Sequence, residues 1–183
     1  GFFSFQAGGI RHEWGSLTLS NSVVKGNVTH SSGGGIHNGE TLTINNTTIS
    51  DNKTGQLGTG GIGGAGINNS GILTINNSTI SNNVVVGGFS GSGIATHNSL
   101  NLNNSTVSGN SGGSGEGIYA FNAAVTMKNS TISNHESYGI LFDFGTVTLL
   151  NTIIAQNGRN GDCSDDNGSS GTLISQGYNL IGK

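Results

Sequence analysis

The amino-acid sequence predicts an all-β protein: a single right-handed parallel β-helix of about six coils, with three short strands per coil. Of the 183 residues, 34 are Gly and none is Pro. Asn, Ser and Thr are also abundant, and all four abundant types are weak helix formers. One short segment recurs six times, which is typical of a solenoid. Right-handed winding is expected because parallel crossovers are overwhelmingly right-handed.

The recurring segment contains two short strands separated by a bend. In TLTINNTTISDN, residues 41–52, Leu42 and Ile44 alternate with polar residues, as on a half-buried strand, and Ile49 follows. A run of small residues that ends at Ile36 predicts the third strand. The six copies place their first apolar residue at Leu17, Leu42, Leu73, Leu100, Val125 and Val147. A single coil cannot bury its apolar side, so the stacked coils must share one core.

Asparagine recurs at two fixed positions of the repeat. The first column is Asn21, Asn46, Asn77, Asn104, Asn129 and Asn151. The second column is Asn27, Asn52, Asn83, Asn110 and Asn157, with His135 in the fifth coil. Asn tolerates left-handed turns, and its amide can bond to its copy in the next coil. We therefore predict that both columns are structural ladders, in turns or in the interior.

The chain is predicted to form one β-helix domain whose ends depart from the repeat. Residues 9–157 hold the six repeats, residues 1–8 form an N-terminal cap, and residues 158–183 form a C-terminal loop with a last strand or cap. Phe2, Phe3 and Phe5 would cover the open core at the first end. An uncapped end exposes unpaired strand edges, which predicts head-to-tail stacking of copies into a filament.

Charge and hydropathy exclude two classes of partner. The net charge of −3, with only 8% charged residues, provides neither a basic patch for nucleic acid nor a polybasic membrane anchor. No apolar run approaches the length that spans a bilayer. We therefore expect no nucleic-acid partner and no membrane insertion.

The strand after each small-residue motif varies most between repeats and is the candidate binding face. The candidate ligand-binding residues there are Arg11, Trp14, His37, His97, Tyr119 and Phe121. Aromatic rings beside polar groups suit a glycan or a surface protein. The alternative is that these side chains cover strand edges or pack under loops.

No catalytic residue is predicted. Glu13 and Glu40 lie in adjacent repeats and come nearest to the carboxylate pair that a glycosidase needs, but the acids are otherwise scattered. Asp162, Asp165 and Asp166 have oxygens that suit Ca²⁺, although their spacing fits neither the EF-hand loop nor the nonapeptide Ca²⁺ repeat. We therefore predict no cofactor and a solvated turn, with Ca²⁺ at these aspartates as the alternative.

Threonine forms an outward column on the Leu-x-Leu strand. Its members are Thr18, Thr43, Thr74, Thr126 and Thr148, and Asn101 takes the place in the fourth coil. Flat T-x-T arrays on β-helices are an ice-binding pattern. The alternative is that β-branched Thr simply favours strands.

The repeats and the C-terminal segment resemble a known family. GGGIHNGETLTINNTTISDN at 33–52, GAGINNSGILTINNSTISNN at 64–83 and the DCSDDNG and GYNLIGK segments within 151–183 resemble choice-of-anchor Q domain proteins and related polymorphic outer-membrane-type repeats, within the pectate-lyase-like superfold. The resemblance implies a secreted or surface-displayed protein with no assigned catalytic residues. In that family a second Cys usually follows the GYNLIG stretch, so Cys163 is either free or paired beyond this sequence.

These observations predict a non-enzymatic, extracellular or cell-surface module, structural or adhesin-like, which binds a glycan or protein along its groove. The first alternative is a carbohydrate-active β-helix of the lyase or hydrolase type, or its sugar-binding descendant. The second is an ice-binding solenoid that uses the Thr column. Acidic side chains from different coils that converge in one groove would favour the carbohydrate-active β-helix. A flat Thr face free of covering loops would favour the ice-binding solenoid.

Overall fold

A computed structural model describes residues 7–55, 63–87, 91–165 and 170–182. Within these ranges all regular structure is β, and every strand pair is parallel. The strands stack as a β-solenoid of about six turns. The predicted all-β parallel solenoid is therefore confirmed.

Three sheets of seven strands run the length of the solenoid. Sheet 1 comprises Ile10–His12, Ile36–Asn38, Ile67–Asn69, Ile94–Thr96, Ile118–Phe121, Ile140–Asp143 and Cys163–Asp165. Sheet 2 comprises Ser16–Ser20, Thr41–Asn45, Ile72–Asn76, Ser99–Asn103, Ala124–Lys128, Thr146–Leu150 and Thr172–Ser175. Sheet 3 comprises Val23–Lys25, Thr48–Ser50, Thr79–Ser81, Thr106–Ser108, Thr131–Ser133, Ile153–Ala155 and Leu180–Ile181.

A fourth, short sheet was not predicted from the sequence. Sheet 4 comprises Val28–Thr29, Lys53–Thr54, Val84–Val85 and Ser111–Gly112. The first four coils thus have four strands where three were expected. Strands of two residues are too short to show an alternation of apolar and polar residues, which is the signal that identifies a strand in a sequence.

The core is a column of aliphatic side chains that stack in register. Leu73 pairs with Leu42 on one side and Leu100 on the other, and all three are fully buried. Each such side chain contributes about 1.5–3 kcal/mol by its burial. The last strand of sheet 2 continues this column with Leu173, which is 40% exposed because no described strand pairs with its far edge.

The two ends of the chain differ in how much of them is described. Residues 163–165, 172–175 and 180–181 add a seventh strand to each long sheet. The residues expected to cap the other end, Phe2, Phe3 and Phe5, lie outside the described ranges, as does Asp166.

The two asparagine columns have different structural roles. In the first column every residue adopts the left-handed conformation, with φ between 47° and 52°, and lies exposed in the turn between sheets 2 and 3. In the second column, Asn52 accepts hydrogen bonds at Oδ1 from the backbone N–H (3.0 Å) and the Nδ2 (2.9 Å) of Asn27, and donates in the same way to Asn83. Asn83 repeats the pattern with Asn110. The second column is therefore the buried ladder, in which His135 takes the place of Asn in the fifth coil.

Candidate functional site

The outer positions of sheet 1 bring the candidate residues onto one face. Arg11 pairs in register with His37, and His37 pairs with Asn68. In later coils, Ala95, Tyr119 and Leu141 occupy the same column. A second outer column lies two residues further along each strand and includes Glu13, His97, Phe121 and Asp143. We call these two columns, with Trp14 and Phe144 in the adjoining turns, the sheet 1 face.

The sheet 1 face is less open than the sequence suggested. Asn68, Ala95 and Leu141 point outward in register, yet all three are buried. Glycines with positive φ fold the preceding segment against this column: a Cβ added to Gly64 would lie 2.8 Å from the Cα of Asn68. One added to Gly91 would lie 2.9 Å from the Cβ of Ala95. The predicted alternative, packing under loops, therefore holds for these positions of the first column.

A polar cluster occupies the first three coils of the face. The Nε of Arg11 donates a hydrogen bond to the Oε1 of Glu13 at 2.5 Å, and the Nε2 of His37 lies 3.5 Å from the same oxygen. The Nδ2 of Asn68 lies 3.4 Å from the Nδ1 of His37. Arg11 is therefore ion-paired with Glu13, and both side chains remain partly exposed to solvent.

The polar cluster sets the charge of its members. The hydrogen bond from Arg11 is the main reason that the pKa of Glu13 lies below its usual value, so this carboxyl is ionised at neutral pH. Burial lowers the pKa of His37, and the negative charge of Glu13 opposes that effect only in part. Glu13 therefore acts as the ion-pair partner of Arg11 rather than as a free acid, and Trp14 beside it is 85% exposed.

An aromatic cluster occupies coils four to six of the same face. The ring centroids of His97 and Phe121 are 6.1 Å apart, as are those of Phe121 and Phe144. The planes meet at 61° and 87°, which is the edge-to-face arrangement that aromatic pairs prefer. Burial lowers the pKa of His97, so the imidazole is neutral at physiological pH. Phe121 and Phe144 remain partly exposed.

Three buried polar atoms on this face have no hydrogen-bond partner among the described residues. They are the Oδ1 of Asn68, the Nε2 of His97 and the Oδ1 of Asp143. Leaving such an atom unsatisfied costs about 1–3 kcal/mol. The three belong to the third, fourth and sixth coils and therefore span about 14 Å along the solenoid, at about 4.8 Å per strand. A side-chain rotation that turned these atoms outward would let a bound ligand supply the missing partners.

Sequence reasoning selected Arg11, Trp14, His37, His97, Tyr119 and Phe121 for this face, and the structure places all six there. It did not select Asn68, Asp143 and Phe144. Asn68 and Asp143 occupy the outer columns, and each is set apart by a buried Oδ1 without a hydrogen-bond partner among the described residues. No sequence pattern reports that property. Phe144 is visible in the sequence as an aromatic residue next to the second outer column, at the position that Asn122 takes in the preceding coil.

Of the aspartates considered for Ca²⁺, Asp162 and Asp165 lie in the part of the chain that the structure describes, and Asp166 does not. Asp162 is buried, and its Oδ1 accepts hydrogen bonds from the backbone N–H (2.9 Å) and Nδ2 (2.7 Å) of Asn157. Asp162 thus ends the buried ladder, whereas a solvated turn was expected. Within the described ranges, no group of three or more His, Cys, Asp and Glu side chains suits a metal ion.

Cys163 is a free, partly buried thiol beside this ladder end. Burial, together with the negative charges of Asp162 and Asp165, raises its pKa to about 12. The thiol is therefore protonated at physiological pH, and the thiolate form that reacts as a nucleophile is negligible.

The outer face of sheet 2 carries the threonine column. Thr43 pairs with Thr18 and Thr74, and Thr126 pairs with Asn101 and Thr148, so the column is in register as expected. A partly buried amide ladder runs beside it: the Nδ2 of Asn76 donates to the Oδ1 of Asn45 at 2.9 Å. Among the outer positions of the sheet 2 strands, Lys128 is the one charged residue.

Comparisons of the chain with family models, with curated proteins and with solved structures found no match. The solenoid architecture agrees with the resemblance to choice-of-anchor Q proteins, and the family assignment itself stays a prediction. The described ranges contain no helix that is long and apolar enough to cross a membrane.

Proposed function

We propose that this protein is a non-enzymatic β-solenoid module of a secreted or cell-surface protein, whose sheet 1 face binds an extended glycan or a partner protein. One observation carries the proposal. Three buried polar atoms without partners, on Asn68, His97 and Asp143, lie on the same face as an exposed aromatic cluster. A binding site combines these features, since rings supply contact area and polar atoms supply orientation.

The solenoid supports this role because it fixes the spacing of the contacts. Side chains on strands are held more rigidly than side chains on loops, so little ordering is needed when a ligand binds. The proposal assigns no catalytic role, because the carboxylate of Glu13 is held by Arg11 and lies five coils, about 24 Å, from Asp143, too far for the carboxylate pair of a glycosidase.

The test is binding on a broad glycan array and to extracellular proteins, with lyase and hydrolase turnover measured on every glycan retained. Phe121→Ala should weaken binding at least tenfold, because it removes the central ring of the aromatic cluster. Ile153→Ala is the matched control, since Ile153 is a partly exposed apolar residue of sheet 3. Turnover of any glycan would contradict the non-enzymatic reading and favour a carbohydrate-active β-helix.

The sheet 2 face supports a second candidate function, ice binding. The observation that favours it is the in-register threonine column on a face with few charges. Thr74→Lys, which places a charge at the centre of the column, should abolish inhibition of ice recrystallisation. Thr79→Lys on sheet 3 is the control. If the unmodified protein fails to inhibit ice growth, this candidate is rejected.

A further inference from the structure

We infer that the ligand of the sheet 1 face is a neutral polysaccharide chain, and that Phe144 is the residue that anchors it. This inference rests on the proposed function and narrows it to one ligand class and one contact. Phe144 is distinguished first by its backbone conformation.

Phe144 adopts a conformation that its side chain disfavours. Its φ is 48°, in the left-handed region that Gly, Asn and Asp tolerate and bulky residues avoid. In the preceding coil the same turn is filled by Asn122, with φ 49°, because Phe121 and Asp143 pair in register. The turn is fixed by close packing: a Cβ added to Gly145 would lie 2.3 Å from the carbonyl oxygen of Ala123. The position therefore suits Asn, yet it carries Phe.

The strain at Phe144 is not compensated by burial. The side chain is 50% exposed and its ring meets the edge or face of Phe121 outside the core. A strained residue that contributes little to the core is characteristic of a ligand-contacting position. Tyr178 has a similar φ of 56° and is 89% exposed, but it lies in the last coil, before the final strand of sheet 3.

The chemistry around Phe144 favours a neutral sugar. Phe121 and Phe144 present a stepped aromatic surface against which the C–H face of a pyranose ring can pack. Asp143, adjacent to Phe144, has a buried Oδ1 without a partner among the described residues, and a carboxylate oxygen accepts from a sugar hydroxyl. The same carboxylate, with the net charge of −3, disfavours an anionic chain. Arg11 offers no compensating cation, because Glu13 engages it.

The small size of the aromatic cluster argues against a protein partner at this point. A stable protein interface buries about 800 Å² on each side. A fully buried aromatic residue supplies about 150–250 Å². Only part of each ring is exposed here, so the cluster alone falls well short of such an interface.

The experiment compares Phe144→Asn with Tyr178→Asn. Both substitutions replace an exposed aromatic residue in the left-handed conformation, so both should leave the midpoint of thermal unfolding unchanged or raise it. The probes are soluble oligomers of glucan, mannan, galactan and N-acetylglucosamine, with polygalacturonate as the anionic comparison. Both proteins are produced in a host without N-linked glycosylation, because Phe144→Asn creates an Asn-Gly-Thr acceptor.

We expect at least one neutral oligomer to bind, Phe144→Asn to weaken that binding at least tenfold without loss of stability, and Tyr178→Asn to leave it unchanged. The inference would be overturned if Phe144→Asn bound the neutral oligomer as tightly as the unmodified protein does, or if the protein bound polygalacturonate alone. Either result would leave the proposed binding face intact. Failure of every oligomer at millimolar concentration would also overturn it. The proposed function would then be tested by binding to extracellular proteins and by the Phe121→Ala variant. Failure of the inference and failure of the proposed function are therefore distinguishable.

Discussion

His135 is the residue that departs from the asparagine pattern of the buried ladder. Its Nδ1 accepts a hydrogen bond from the backbone N–H of Asn110 at 3.2 Å, while its Nε2 lies 3.1 Å from the carbonyl oxygen of Val107. Both contacts are satisfied by the neutral ring with its proton on Nε2. Gly117 makes room for the ring, since a Cβ added there would lie 2.2 Å from Nε2. Burial lowers the pKa of His135 to about 4.

This pKa predicts a pH-dependent stability. Between pH 6.5, the ordinary value for histidine, and pH 4, the unfolded chain binds a proton at His135 that the folded chain does not. The free energy of unfolding should therefore fall as the pH is lowered through this window, by about 3 kcal/mol at 1.36 kcal/mol per pKa unit. His135→Asn removes this component and places an amide in the ladder. Urea unfolding at pH 7 and pH 4.5 measures the difference.

His30 provides the control for this prediction, because it is an exposed histidine outside the ladder. His30→Asn should retain the pH dependence of the unmodified protein. An equal loss of stability on acidification in His135→Asn and in the unmodified protein would show that His135 is not the group responsible.

At the scale of the element, the ladder stabilises the turn between sheets 3 and 4. Asn83 accepts two hydrogen bonds from Asn52 and donates from Nδ2 to the carbonyl oxygen of Ile49 at 3.1 Å. Asn83→Ala leaves both donors of Asn52 buried without that acceptor. We expect a loss of about 3 kcal/mol, since each unsatisfied buried group costs about 1–3 kcal/mol.

Asn77 is the matched control for the ladder, because it is the same residue type in an exposed left-handed turn of the same coil. Asn77→Ala loses only the preference for that conformation, about 1 kcal/mol. Urea unfolding of both variants gives the two values. A cost for Asn83→Ala no larger than that for Asn77→Ala would contradict the ladder as a source of stability.

The strands of the long sheets were predictable because their signal is local. The alternation at Leu42 and Ile44 is contained in five residues and repeats in every coil. The different roles of Asn46 and Asn52 were not predictable, because both recur at fixed positions and only the path of the backbone decides which amide faces inward. The burial of Asn68 depends on how the segment just before it folds back at Gly64, and the strain of Phe144 is a backbone angle. No pattern of residue types reports either property.

At the scale of the whole molecule, the ladder has a direction. The Nδ2 groups of Asn27, Asn52 and Asn83 each donate to the Oδ1 of the next coil. After Asn110 the backbone N–H groups of Asn110 and His135 continue the series, which ends at Asp162, whose carboxylate accepts from Asn157. At the other end Asn27 uses its Nδ2 and backbone N–H on Asn52, so its Oδ1 faces any further coil as an acceptor. An anion at the donor end of aligned amide dipoles is favourable, as it is at the N-terminus of a helix.

Head-to-tail stacking of copies, which the sequence predicts, is a proposal that the last described strand of sheet 2 makes testable. Stacking would cover Leu173, which continues the core column and is 40% exposed because no described strand pairs with its far edge. Leu173→Lys places a charge at that junction and should therefore decrease association. Ile153→Lys is the control, because Ile153 is a similarly exposed apolar residue on the outer face of sheet 3. In sedimentation equilibrium over a range of protein concentrations, the average mass of Leu173→Lys should fall below that of both other proteins. Equal masses for the two variants would mean that added charge alone, rather than the open end of the core, governs association.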